Sequence, residues 1–207
     1  MISVAPLTDF NNQLYHHCMP LSQIVNGTVR ADPIYSADSF FRPAYKWLEE
    51  QIGFFPHFVS VGNNENALYR TGYQDNWRIY TGSDHLRGSW QKIYRKKNEF
   101  PNNILFSFDN MEGVFMDYMS WHIAINACTN GRCVTKGEMR MILKPSWTRS
   151  RWLRAAENSH QVDLLVPALP LDNAVRIWVR NRETRNQMEK MGFRNVEVVR
   201  IQVDSLS

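Results

Sequence analysis

The last third of the chain constrains the fold most. Short strand-like runs follow one another there at close spacing, with capped helices between them. Val162–Val166 is a compact apolar run with one acid in it, and Ala174–Val179 is a second strand. Arg182–Met191 reads as a helix stopped by Gly192, a residue suited to the left-handed turn after a helix. Val196–Val203 alternates into a final strand, with Val199, Ile201 and Val203 on one face. Many short strands with few helices between them argue for an α+β fold, not a doubly wound parallel sheet. With 207 residues, 43% of them apolar, the chain can bury one sizeable core. It has no internal repeat, low-complexity tract or Gly/Ser linker, so residues 1–207 read as a single domain.

The rest of the chain repeats this texture. Gln13–Cys18 reads as a strand with a turn at Met19–Pro20, and Leu21–Val25 as one helical turn. Ile34–Tyr35 is a second short strand. A helix is expected from Pro43, since proline suits the first helical position. Its stripe is Ala44, Trp47, Leu48 and Ile52, and Gly53 is the stop. His57–Val61 and Ile104–Phe108 read as strands, and Ser89–Lys97 as a helix. Cys128-Thr-Asn-Gly-Arg-Cys133 carries the Asn-Gly signal of a hairpin. Trp147–Asn158 reads as a basic helix.

Charge is informative through its distribution. The net charge is +4 and the pI about 9.0. Residues 1–69 hold three basic and six acidic residues, which leaves 21 basic and 14 acidic for residues 70–207. That asymmetry points to a polyanionic partner, and to nucleic acid before membrane, because no basic amphipathic helix has a lipid-like face. No run approaches the ~18 apolar residues of a membrane span. The N-terminal residues show no secretory pattern, and three cysteines are too few for a disulfide scaffold. A reducing cytoplasm is the expected compartment.

Several familiar motifs are missing. There is no Walker A sequence, GxGxxG, HExxH or nucleophile elbow, and no second ligand pair to make zinc ligands of Cys128 and Cys133. Four features remain. Asp163 is a carboxylate inside an apolar strand, so it either sits on a solvent face at a strand start or lines a cleft. His16 and His17 are consecutive, so a strand sends them to opposite faces. Arg42 stands beside a helix N-terminus, where the helix dipole disfavours a cation. Finally, Lys144-Pro-Ser-Trp-Thr-Arg-Ser-Arg-Trp-Leu-Arg154 interleaves basic residues with two tryptophans. Trp147, Arg149, Arg151 and Arg154 could grip phosphates and stack on bases, or the tryptophans could simply enter the core of a half-buried helix.

These pieces, in this order, resemble the ADP-ribosyltransferase superfamily. Leu14-Tyr15-His16 is similar to the first motif of its diphtheria-toxin-like and PARP-like branch, and Ile34-Tyr35-Ser36-Ala37-Asp38 to the second. Pro56-His-Phe-Val-Ser-Val61 and Ala67-Leu-Tyr69 resemble a strand and a following motif of DarT-type nucleic-acid ADP-ribosyltransferase toxins. So does the stretch from Arg151 through Gln161-Val-Asp-Leu-Leu-Val166 and Pro167 to Val175-Arg-Ile-Trp-Val179. The resemblance covers about half the chain. It implies short mixed strands in a split central sheet with flanking helices. It also implies NAD as the substrate, with His16, Tyr35, Ser60 and Tyr69 lining its site. Asp163 would take the catalytic carboxylate position and Arg42, by position, the catalytic arginine. The sequence departs from the pattern in one respect: the family's catalytic residue is glutamate, one methylene longer than Asp163.

The residue types suit that chemistry. Cleavage of the nicotinamide–ribose bond develops positive charge at the ribose, as glycoside hydrolysis does. A carboxylate there holds a ribose hydroxyl and stabilises the charge. An arginine can hold the diphosphate, and a base acceptor must be unstacked or single-stranded. The implied protein is a toxin that modifies single-stranded DNA or RNA, of the toxin–antitoxin or phage-defence kind, with an antitoxin as partner. The competing readings are a protein-directed transferase or NAD glycohydrolase of the same fold, and a non-catalytic nucleic-acid-binding module.

Overall fold

The computed structural model describes residues 15–25, 28–29, 42–62, 103–129, 134–158, 162–179 and 181–198. Its strands are β1 (Tyr15–Pro20), β2 (Ile24–Val25), β3 (Thr28–Val29), β4 (His57–Val61), β5 (Asn103–Phe108), β6 (Val114–Asp117), β7 (Val162–Val166), β8 (Arg176–Val179) and β9 (Val196–Val198). Its helices are α1 (Arg42–Ile52), α2 (Tyr118–Thr129), α3 (Lys136–Leu143), α4 (Arg149–Glu157) and α5 (Arg182–Lys190). The α+β expectation is met. The Ile34–Tyr35 strand, the Ser89–Lys97 helix and most of the final strand lie outside the described residues.

Seven strands form one sheet in the order β6-β7-β4-β1-β5-β8-β9, antiparallel except for the parallel β8–β9 pair. The expected split sheet is thus a continuous one. It is narrowest between β1 and β4, where two residue pairs join the strands, against six pairs between β1 and β5.

Alternation along the strands separates two layers. On the first face, Val59, Phe106, Phe115, Val162, Leu164, Val166, Ile177 and Val179 pack with Trp152 of α4 and Met188 of α5. On the second face, Phe58, Met116 and Leu165 pack with Tyr45 and Leu48 of α1, Trp121 and Ala124 of α2, and Ile142 of α3. Three helix starts have a local cause in a capping side chain. Thr135 and Glu138 form a reciprocal capping box before α3. Thr148 caps α4, and Asn181 caps α5. Gly53 and Gly192 follow α1 and α5 at φ +85° and +94°, the left-handed region that favours glycine.

Three further expectations are corrected. The helical turn expected over Leu21–Val25 covers Leu21–Gln23 alone, and Ile24–Val25 is strand β2, paired with β3. The turn at Met19–Pro20 is instead the end of β1, where Pro20 pairs with Asn103. Cys128 belongs to α2 and not to a hairpin strand. Asn-Gly marks a turn, but the residues before it decide what enters the turn. Here Trp121 and Ala124 are buried three residues apart, at helical spacing.

Gly113 precedes β6 at a point of close approach. A Cβ there would overlap the Leu165 carbonyl oxygen and crowd Val166 and Leu164. Gly113→Ala is expected to destabilise the fold by about 1–3 kcal/mol, because backbone cannot yield as a side-chain tip can. Thermal unfolding checks this, at roughly 2–4 °C of Tm per kcal/mol.

Candidate functional site

The strand register assembles a row of polar residues across the second face. Met116 of β6 faces Asp163 of β7, and Asp163 faces Ser60 of β4. Ser60 faces His16 of β1, which in turn faces Ser107 of β5. Ser107 faces Arg176 of β8. Directly opposed residues share a face, so all these side chains rise from one side of the sheet. Strands step by about 4.8 Å, so Asp163 and His16 start ~10 Å apart with the Ser60 hydroxyl between them.

Met116, Asp163, His16 and Ser107 of this row are sealed from water, whereas Ser60 and Arg176 are half-buried. Asp163 is 3% exposed and His16 2%. All five residues of β7 are buried, which overturns the solvent-face alternative for Asp163. The strand is internal to the sheet, flanked by β4 and β6, and the side chains on both of its faces are buried. A carboxylate in such a place is costly unless its surroundings use it.

His16 and His17 diverge as consecutive strand residues must. The His16 Nδ1 lies 3.0 Å from the Ser107 hydroxyl, and the Trp178 indole donates to the same hydroxyl at 3.2 Å. The His17 Nδ1 donates to the Phe58 carbonyl at 2.8 Å, at the place where the β1–β4 ladder stops. Ser107, Trp178 and Arg176 were missed in the sequence. Ser107 carried the same signal as Asp163, a lone polar residue inside the apolar run Asn103–Phe108. The Arg176 guanidinium stands 5.2 Å from the Trp178 ring.

Arg42 is the first residue of α1, the helix that packs on this same face through Tyr45 and Leu48. Its side chain lies outside the described residues, as do Tyr35 and Tyr69 altogether. Among the described residues, no three His, Cys, Asp or Glu side chains gather as metal ligands, and no helix is long and apolar enough to cross a membrane.

The basic segment occupies the other face. Trp152 of α4 is buried against Phe115, with ring centroids 5.9 Å apart and planes at 12°. Trp147 precedes the helix and is half-buried, tilted against Trp152 at 4.8 Å. Lys144 and Arg151 both lie 4.3 Å from its ring centroid, so protein cations already crowd the surface that could stack on a base. Arg149 donates to the Tyr15 hydroxyl at 2.6 Å and to the Met111 carbonyl at 3.3 Å. Burial pushes the Tyr15 phenol above its ordinary range, and the Arg149 charge and hydrogen bond pull against that. All three arginines of α4, Arg149, Arg151 and Arg154, are exposed, but Arg149 ties the helix to β1, whereas Arg151 lies over the Trp147 ring. The sheet stands between this helix and the Asp163 side chain. The end of the sheet nearest Asp163, Ser60 and His16 is the one where Tyr15, Val61 and Val162 lie.

No family model matches the chain, and neither does any curated protein or solved structure.

Proposed function

We propose that this chain is an NAD-dependent mono-ADP-ribosyltransferase that modifies a base of single-stranded DNA or RNA, as a toxin of the toxin–antitoxin or phage-defence kind. One observation carries the reading: Asp163, Ser60 and His16 stand side by side on three neighbouring strands, on one face, with Asp163 and His16 buried and Ser60 half-buried between them. Their donor set fits a ribose, which offers hydroxyls that can both donate and accept. NAD would supply the ADP-ribosyl group. Asp163 accepts from a ribose hydroxyl and offsets the positive charge that develops as nicotinamide leaves, an effect strengthened where water is excluded. Ser60 and His16 hold the neighbouring hydroxyls and exclude water. Arg42, at the start of the helix over this face, takes the diphosphate in the resemblance. Support for a nucleic-acid acceptor is the exposed Arg151 and Arg154 together with the basic excess after residue 69.

The test is incubation of the purified chain with radiolabelled NAD, oligonucleotides and protein. Label on DNA or RNA is the expected result. Label on protein, or free ADP-ribose, moves the acceptor to the protein-directed or hydrolase alternative. Intact NAD overturns the enzyme. The two histidines sharpen the test. His16→Ala is expected to weaken NAD binding about 5- to 10-fold, the loss of one hydrogen bond to a ligand, while His17→Ala mainly lowers the melting temperature. NAD titration and thermal unfolding of both variants check this, and equal losses of affinity would refute the placement of His16 in the site.

A further inference from the structure

We infer that Ser107, held by Trp178, is a positioning residue that fixes His16 as the neutral imidazole with its proton on Nε2. The reasoning is a count of hydrogens. The Ser107 hydroxyl is fully buried, and among the described residues its partners are Trp178 Nε1 and His16 Nδ1. An indole N–H can only donate, so the hydroxyl oxygen accepts from Trp178. Among the described residues the hydroxyl hydrogen then has one acceptor within reach, the His16 Nδ1, and a buried O–H left without one is costly. A nitrogen that accepts carries no hydrogen, so the ring proton of His16 sits on Nε2.

His17 is fixed the other way. Its Nδ1 faces the Phe58 carbonyl, which can only accept, so that nitrogen is protonated. Two adjacent histidines thus carry opposite hydrogen patterns, each set by the strand it meets.

The consequence for chemistry is specific. Any partner of His16 Nε2 must be an acceptor, such as a ribose hydroxyl oxygen. His16 cannot serve as a general base through Nε2, which already holds a proton, or through Nδ1 without breaking the Ser107 bond. The tautomer rests on the hydrogen bonds alone, and its use against a ribose hydroxyl rests on the ADP-ribosyltransferase reading.

The experiment is long-range proton–nitrogen correlation NMR on the ¹⁵N-histidine-labelled full chain, at a pH about two units above the ordinary histidine pKa of ~6.5. His16→Gln and His17→Gln assign the signals. The expected result is an unprotonated-type Nδ1 and protonated-type Nε2 for His16, with the reverse for His17. Ser107→Ala should let His16 average both forms, and Ser107→Thr, which keeps a hydroxyl, should restore the single form. A protonated Nδ1 on His16 in the unmodified chain overturns the inference, whatever the variants do. NAD titration is the second arm, with Ser107→Ala expected to bind about fivefold more weakly. If the His16 pattern is as expected but NAD does not bind, the tautomer stands and the ADP-ribosyltransferase reading falls.

Discussion

On the proposed ADP-ribosyltransferase reading, Asp163→Asn is expected to lower the rate of NAD cleavage about 10²–10³-fold, the usual loss when one preorganised charge-stabilising group is removed. Asparagine keeps the size and shape of the side chain, so the packing beside Met116 and Ser60 is preserved while the charge is lost. The measurement is NAD turnover by the purified variant, with a melting curve alongside. Unchanged turnover in a folded variant would remove Asp163 from the chemistry. Asp163→Glu restores the residue that the resembled family carries, yet the position is sealed within a fully buried strand. One added methylene there costs about 1–3 kcal/mol through overpacking. That variant is therefore expected to melt lower and not to gain activity. The aspartate would then be the residue this backbone was built around.

The strands that form the site were legible because each is a short apolar run with a clear edge. His57–Val61 and Val162–Val166 were read with the bounds they have. α1 and α5 were legible through their apolar or capped ends, Gly53 and Gly192 in particular. What failed to show was the middle of the chain. α2 is apolar on nearly all sides, Tyr118-Met-Ser-Trp-His-Ile-Ala-Ile, so it lacks the single-stripe period that marks a surface helix. β6 is four residues long, too short to show an alternation. The polar row was out of reach for a different reason. His16, Ser60, Ser107, Asp163 and Arg176 come from five strands spread over most of the chain, and only register makes them neighbours. A sequence can show that each strand holds one misplaced polar residue. It cannot show that five such residues fall on one line, because register is set by pairing partners and not by composition. The placement of α4 was hidden in the same way. A helix and the strand after it can be neighbours in space without sharing the face on which a given side chain rises.

Trp152→Ala is expected to cost about 3–5 kcal/mol, the range for truncating a large buried aromatic, and so to lower Tm by roughly 6–20 °C. The indole is 3% exposed and stacks on Phe115, and it supports Trp147, which in turn carries Lys144 and Arg151. Losing it opens a cavity against β7 and loosens the cation-bearing corner above it. Arg154→Ala does nothing of this kind: the side chain is exposed, so the melting curve should stay where it is. The two tryptophans and the arginines of one segment therefore separate into a packed set and a solvent-facing set, and the proposed nucleic-acid contacts are assigned to the second. Measured against salt, the affinity for a single-stranded oligonucleotide should lose about 0.7 from its logarithmic slope for each phosphate contact removed, in Arg151→Ala and in Arg154→Ala. Arg149→Ala should change both readings, since its guanidinium holds the Tyr15 hydroxyl and the Met111 carbonyl. If Arg151→Ala and Arg154→Ala leave affinity and slope untouched while Trp152→Ala melts early, α4 is a packing helix with a charged outer face. The acceptor would then have to be held by residues on the Asp163 side of the sheet.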